Sequence, residues 1–280
     1  MKAIESPVRA AVAAGSFYSS DATTLRENVQ RLLAAPETTP APAVAAIAPH
    51  AGLAFSGECA AEVFARIHIP RTVVLLGPNH YDLASQPAGA SLWRSGAFAT
   101  PLGQVQVDEE FASDLLDACS LVAHDPVAHG RDHALEVELP FLIERAAPRR
   151  PAIVPILLRW DDWQRCRQLA EALAGLMLQR RPYEVLLLAS SDMTHFEPAA
   201  AALRRDQAAL DAIVQLDGEK LLGVCREQRI TMCGRAPAAV VIEAARRLGA
   251  HCASVVAHTH SGVASGDDSN VVSYAGVVVA

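Results

Sequence analysis

The chain has 280 residues, 51% of them hydrophobic, and a formal net charge of −7. That length buries a large core, and an acidic balance with no basic run or face excludes the electrostatic footprint of a nucleic-acid binder. No apolar stretch is long enough to span a bilayer and the opening MKAIESPVRA lacks a signal peptide's apolar centre, so a cytoplasmic protein away from membranes is expected.

In chain order, Gly15-Ser16-Phe17-Tyr18 precedes a helix capped by Asp21, or by Thr24 three places before Glu27; Leu25, Val29, Leu32 and Leu33 form its apolar stripe. The Pro-rich residues 35–42 make a short connection. Residues 44–50 are an apolar run, Gly52 and Gly57 frame a loop, 58–67 predict a helix and 73–76 a buried strand, which together read as a βαβ unit. Residues 81–100 read as a long irregular segment, 102–107 as a short strand and 109–118 as a helix. Residues 122–131 are loop-like and hold His124 and His129; 132–145 predict a helix starting near an acidic cap. A strand at 153–158, a helix at 161–179 and a strand at 184–189 follow. Helices at 199–215, 217–227 and 236–248 lead to closing strands at 254–258 and 271–279. Strands alternating with helices predict a single α/β domain over residues 1–280, with a mostly parallel or mixed central sheet and helices on both faces.

Three of the apolar runs end alike. One closes on Pro49-His50, one on Gly77-Pro78-Asn79-His80, and one on Ser190-Ser191-Asp192 and then His195. Ligands of α/β sheets bind outside the carboxyl ends of strands, so three such strands predict one shared pocket. Imidazole is the commonest side-chain metal ligand and general base, which makes His50 and His80 candidate ligands. Asp192 and His195, three apart, can lie on one side of a turn, where the carboxylate orients the imidazole or both face a metal. His133 and Glu136 share a face of the expected helix, whose first turn would keep His133 neutral; Glu138 falls off that face.

The six cysteines form no Cys-x-x-Cys pair, which removes zinc-ribbon and thioredoxin-type readings. Cys233, just before a helix, is expected to have a lowered thiol pKa and to be a soft metal ligand, or else one more buried cysteine. Residues 265–270, Ser-Gly-Asp-Asp-Ser-Asn, read as a turn before the last strand or as a cation site. There is no G-x-S-x-G elbow, P-loop, G-x-G-x-x-G or H-E-x-x-H, so serine-hydrolase and nucleotide-binding readings lose their usual support.

Seven stretches carry a resemblance in order along nearly the whole chain. They are AGSFY at Gly15, APHAG at His50, LLGPNH at His80, DHALEVELPF at His133, SSDMTHFE at Asp192, MCGRAP at Cys233 and the closing SGDDSNVVSYA. The chain resembles the Memo-like family, protein B of the AmmeMemoRadiSam set, which is similar in fold to class III extradiol dioxygenases. The resemblance implies that His50 and His80 match the two histidine ligands of the dioxygenase iron, and that Cys233 stands where those enzymes have a glutamate. His133, Asp192 and His195 would line the same pocket as proton-transfer or supporting groups, and the spacing from His133 places Glu136 around the site with them. Iron(II) is the implied metal, then copper, then zinc. Phe17, Phe196 and Asp268 depart from the family's usual Trp, Tyr or Trp, and Tyr, which alters pocket walls more than ligands.

The expected function is a metal-dependent oxidoreductase of dioxygenase-like descent acting on a small or modified substrate, alongside a radical-SAM partner. A second reading is a non-catalytic scaffold that captures a peptide or sequesters metal in the same pocket. A third is a hydrolase built on Asp192 and His195.

Overall fold

The computed structural model describes residues 6–87 and 89–280. Residues 1–5, which open the stretch examined for a signal peptide, lie outside the described residues, as does residue 88. The first half of the chain comprises β1 (Val8–Arg9), α1 (Ala22–Ala34), β2 (Ala45–Ala48), α2 (Leu53–Arg66), β3 (Thr72–Pro78), β4 (Ala90–Leu92), β5 (Ala97–Thr100), β6 (Gly103–Gln106), α3 (Glu109–Ala118), β7 (Val122–His124), α4 (Pro126–His129) and α5 (Leu139–Ala146). The second half comprises β8 (Ala152–Leu158), α6 (Trp163–Met177), β9 (Val185–Ser190), β10 (His195–Glu197), α7 (Ala199–Val214), α8 (Gly218–Glu227), α9 (Arg235–Arg247), β11 (Ala253–His260), α10 (Gly262–Ser265) and β12 (Val271–Val279).

Among the described residues nine strands form the main sheet, in the order β10-β12-β2-β9-β3-β8-β4-β7, with β11 paired to β12. Its centre, β2-β9-β3-β8, is parallel, and β12 and β4 flank it antiparallel, so the sheet is mixed. Strands buried on both faces read as unbroken apolar runs, and β9, Val-Leu-Leu-Leu-Ala-Ser, is buried throughout. On one face α2 packs against β2, β11 and β12, backed by α1 and α5; on the other α9 packs against β2, β9 and β3, backed by α6 and α8. The α/β architecture with helices on both faces is therefore the one expected. Asp21 caps α1 by accepting the Thr24 amide at 2.8 Å, and Leu25, Val29 and Leu32 are buried.

Several local expectations need correcting. β9 lies between β2 and β3, so the two histidine-bearing strands of the βαβ stretch are not neighbours. α2 starts at Leu53, and Gly57 is inside it rather than in a loop: a Cβ there would come within 2.9 Å of Leu32 Cδ1, so the glycine lets α1 and α2 approach. The irregular segment at 81–100 contains β4 and β5, and the loop at 122–131 contains β7 and α4. The helix expected from residue 132 begins at Leu139, and residues 134–138 are turns. Pro140 accounts for this, because proline belongs in a helix's first turn and breaks an interior.

Gly77 fixes how those turns meet the sheet. A Cβ at this point of β3 would lie 2.7 Å from Leu135 Cδ2 and 3.2 Å from the Ala134 Cβ. The Gly77→Val variant is expected to lose about 1–3 kcal/mol of stability through overpacking, read as a lower urea midpoint. An unchanged midpoint would show that residues 134–135 do not bear on the strand.

Candidate metal centre

The parallel register brings three strand ends to one edge. Ala48 stands opposite Ser190, and Leu76 opposite Ala189. The chain leaves that edge through His50, through Ser191 and Asp192, and through Asn79 and His80. The turns at 134–138 lie over it, since the Ser190 hydroxyl is 2.8 Å from the Ala134 carbonyl.

Three imidazoles converge there. One ring nitrogen from each of His50, His80 and His133 lies within 4.8 Å of the others. His133 stacks on His80 with ring centroids 4.7 Å apart and planes at 9°, and Phe17 stacks on its other side at 4.1 Å. His50 meets both rings edge-on, at 5.1 Å from His80 and 5.5 Å from His133. Rings held in this way are fixed in plane before any ligand arrives.

Each histidine is set by its neighbours. Asp132 accepts the His80 amide at 2.7 Å and lies 3.1 Å from its Nδ1, so a carboxylate orients this imidazole. Burial alone would raise the Asp132 carboxyl, but the bonds from His80 and the Ala134 amide outweigh it and hold the group low. His50 is buried, with Nδ1 2.9 Å from the Ser190 hydroxyl. Burial, then the neighbouring His80, pushes its pKa down to about 3. The same causes, with His50 the larger neighbour, push His133 down to about 4. The Nδ1 of His133 is buried with no hydrogen-bond partner among the described residues. Neutral imidazoles, as burial makes His50 and His133, are what a transition metal requires, so these residues fit an ion.

Cys233 lies beside this group. Its sulfur is 3.4 Å from His50 Nε2, and the Asp192 amide approaches it at 3.3 Å. Gly234 allows this, because a Cβ there would lie 2.5 Å from the Ser190 carbonyl oxygen. The lowered thiol pKa expected at a helix start is not found. α9 begins two residues later, and burial, then the Asp192 carboxyl, pushes the thiol up to about 12. A metal bound at Cys233 would therefore displace a proton.

The remaining predicted groups divide. Asp192 Oδ1 accepts the His50 amide at 2.9 Å and the Ala51 amide at 3.3 Å, so it shapes the loop after β2. Burial raises its pKa against those bonds. It is not the partner of His195, whose Nδ1 instead meets the Met193 carbonyl at 2.7 Å. His195 still lies close enough to bias both His50 and Asp192 electrostatically.

Glu136 does not share a helix face with His133. Its carboxylate accepts the Val12 amide at 2.9 Å, the Ala13 amide at 2.8 Å, the Tyr18 hydroxyl and the buried Arg9 guanidinium. Arg9 also donates to the carbonyl of His129 at 2.9 Å and to that of Asp132. With its carboxylate committed to four donors, Glu136 ties the segment carrying Phe17 to the segment carrying His133. Sequence reasoning missed Asp132 as the His80 partner, and Ser190 and Glu138 behind His50. Adjacency to His133 and position at the end of β9 were the only signals for the first two.

The fold and this cluster define an α/β protein with a histidine-rich candidate metal centre at the carboxyl edge of its sheet. The family model described as Memo-like protein matches residues 9–278. A MEMO1 family protein of Methanopyrus kandleri is 35% identical over 96% of this chain and 98% of its own length. MEMO1 family proteins of Aquifex aeolicus and Methanosarcina acetivorans are 36% and 34% identical, each over 97% of this chain and over 98% and 99% of their own lengths. The chain belongs to the Memo-like family. No helix among the described residues is long and apolar enough to cross a membrane.

Two expectations follow. Arg9→Met leaves the buried Glu136 carboxylate without its cation, and should cost about 3–5 kcal/mol in urea denaturation; a loss below about 1 kcal/mol would mean the pair is not an anchor. His50, His133 and the buried His129, whose pKa burial lowers to about 4, all stay neutral in the folded chain far below their ordinary value of 6.5. Between about pH 6.5 and 4 the unfolded chain binds more protons, so stability falls as pH drops through that window. Metal-free protein should lose about 2 kcal/mol per histidine between pH 7 and 5, read as a falling thermal midpoint. A midpoint that holds steady would contradict the neutral-histidine assignment.

Proposed function

We propose that the chain is a metal-dependent oxidoreductase whose ion is held by His50 and His80, with His133 and Cys233 completing the donor set. The observation that carries this reading is the convergence of three imidazole nitrogens within 4.8 Å at the carboxyl edge of the sheet. Cys233, with its sulfur 3.4 Å from His50 Nε2, adds a soft donor on the same side. Imidazole with thiolate suits iron, copper or zinc, and the likeness to the extradiol fold favours iron(II), with copper next. When bound, such an ion polarises an oxygen of the substrate or exchanges an electron.

The chain's own residues supply the rest. His195 donates from Nδ1 to the Met193 carbonyl, which leaves Nε2 to take a proton from a bound molecule. Phe17 stacks on His133 and shields the cluster on that side. Phe196, 74% exposed beside His195, offers an apolar surface for a substrate side chain or a peptide. That ring also favours the second reading, a non-catalytic binder using the same pocket. Under that reading ligand or metal is held without oxygen consumption.

The test is metal content. Protein purified anaerobically without chelator is expected to carry close to one iron or copper per chain. His50→Ala and His80→Ala should abolish retention, and His133→Ala and Cys233→Ala should each weaken it. Unchanged metal in both His50→Ala and His80→Ala would overturn the proposal. Stoichiometric metal with no oxygen uptake on any phenol or thiol offered would favour the binder.

A further inference from the structure

The Ser190 hydroxyl is surrounded by three polar atoms and has one proton to give. Its oxygen lies 2.8 Å from the Ala134 carbonyl oxygen, 2.6 Å from Glu138 Oε1 and 2.9 Å from His50 Nδ1. All of this is buried: Ser190 and Glu138 are fully inaccessible and His50 nearly so. A carbonyl can only accept, so the Ser190 proton goes to Ala134. The two remaining contacts are then hydrogen bonds only if both neighbours donate to the Ser190 oxygen, which has two lone pairs for them. Glu138 must carry a proton on Oε1, and His50 must carry one on Nδ1.

The alternative arrangement fails on the same count. An ionised Glu138 would take the Ser190 proton and leave the Ala134 oxygen facing the Ser190 oxygen with no proton between them. Glu138 Oε2 is buried without any hydrogen-bond partner among the described residues. An unpaired oxygen there is tolerable on a neutral acid and costly on a buried anion. Burial pushes the Glu138 pKa up to about 8 even with the Ser190 bond acting to lower it.

We propose that Glu138 is a neutral carboxylic acid that acts through Ser190 to hold His50 as its Nδ1–H tautomer, presenting the bare Nε2 lone pair toward His80, His133 and Cys233. Glu138 is thus a positioning residue for the imidazole that the metal reading uses as a ligand, and its consequence for metal affinity rests on that reading. The chain Glu138–Ser190–His50 does for His50 what Asp132 does for His80. The difference is charge: a carboxylate orients the rim histidine, whereas a neutral donor pair orients the buried one.

The test begins on metal-free protein, so that it stands whether or not the chain takes up metal. Long-range proton–nitrogen NMR at neutral pH should show His50 protonated at Nδ1 and bare at Nε2. The infrared spectrum should contain a protonated-carboxyl band that disappears in Glu138→Gln. Glu138→Gln keeps a neutral donor to Ser190 and should leave the His50 signature in place, whereas Ser190→Ala, which leaves only the main chain of residue 190 to hold the His50 ring, should lower the Nδ1–H population. Glu138→Leu, which offers no donor, should shift it in the same direction as Ser190→Ala.

Iron(II) affinity, read by competition with a chromophoric chelator, should fall about 10–100-fold in Ser190→Ala and stay near wild type in Glu138→Gln. A wild-type His50 protonated at Nε2, or the absence of any protonated-carboxyl band assignable to Glu138, would overturn the proposal. The expected NMR signature in a protein that binds no iron(II) would support the tautomer assignment and instead overturn the metal reading.

Discussion

The parallel hydrogen-bond ladder of β2, β9 and β3 is the constraint on which the site depends. Because Ala48 pairs with Ser190 and Leu76 with Ala189, the three strands end level. The backbone continues the alignment one step further, with the Ser191 amide bonded to the Ala48 carbonyl at 2.8 Å. His50, Asp192 and His80 are therefore delivered to one edge by main-chain geometry, before any side-chain preference acts. A sheet slipped by one residue would turn every side chain on β9 to the other face and take Ser190 from behind His50.

A second layer comes from the turns at 134–138 and the residues just before them. They sit on β3 where Gly77 has no side chain, and they bring His133, Asp132 and Glu138 to the same edge. Buried polar groups then hold the layer in place. Glu136 collects Arg9, Tyr18 and two backbone amides, and so joins the N-terminal segment to these turns. A buried pair of this kind contributes modestly to net stability against an apolar replacement, while breaking it costs far more. Its evident use is registry, because it sets Phe17 over His133.

Much of this was legible in the sequence, and the losses have physical causes. Apolar runs ending in Pro-His or Asn-His mark the strand ends, and of the two candidate caps, Asp21 and Thr24, the structure uses Asp21. The insertion of β9 between β2 and β3 is a long-range choice with no local signature. Pro140 is a local signal for a helix starting at Leu139, and it outweighs the acidic cap that suggests a start near residue 132. Glu136 was placed at the site on that imagined helix face, and Glu138 was set aside for the same reason. Cys233 was expected to be acidified by a helix start, but desolvation and a nearby carboxyl act in the opposite direction. The family resemblance points to His50, His80 and His133, whose ring nitrogens the structure brings within 4.8 Å of one another, and gives no hint of Ser190 behind them.

On the proposed reading, His50, His80, His133 and Cys233 together form a metal centre. Anomalous diffraction from crystals of protein loaded anaerobically with iron(II), recorded on both sides of the iron absorption edge, tests it most directly. The expected result is a single strong peak enclosed by the three imidazoles on the side of the Cys233 sulfur. A peak elsewhere on the chain, or no peak in crystals whose His50 and His80 rings are ordered, would contradict it.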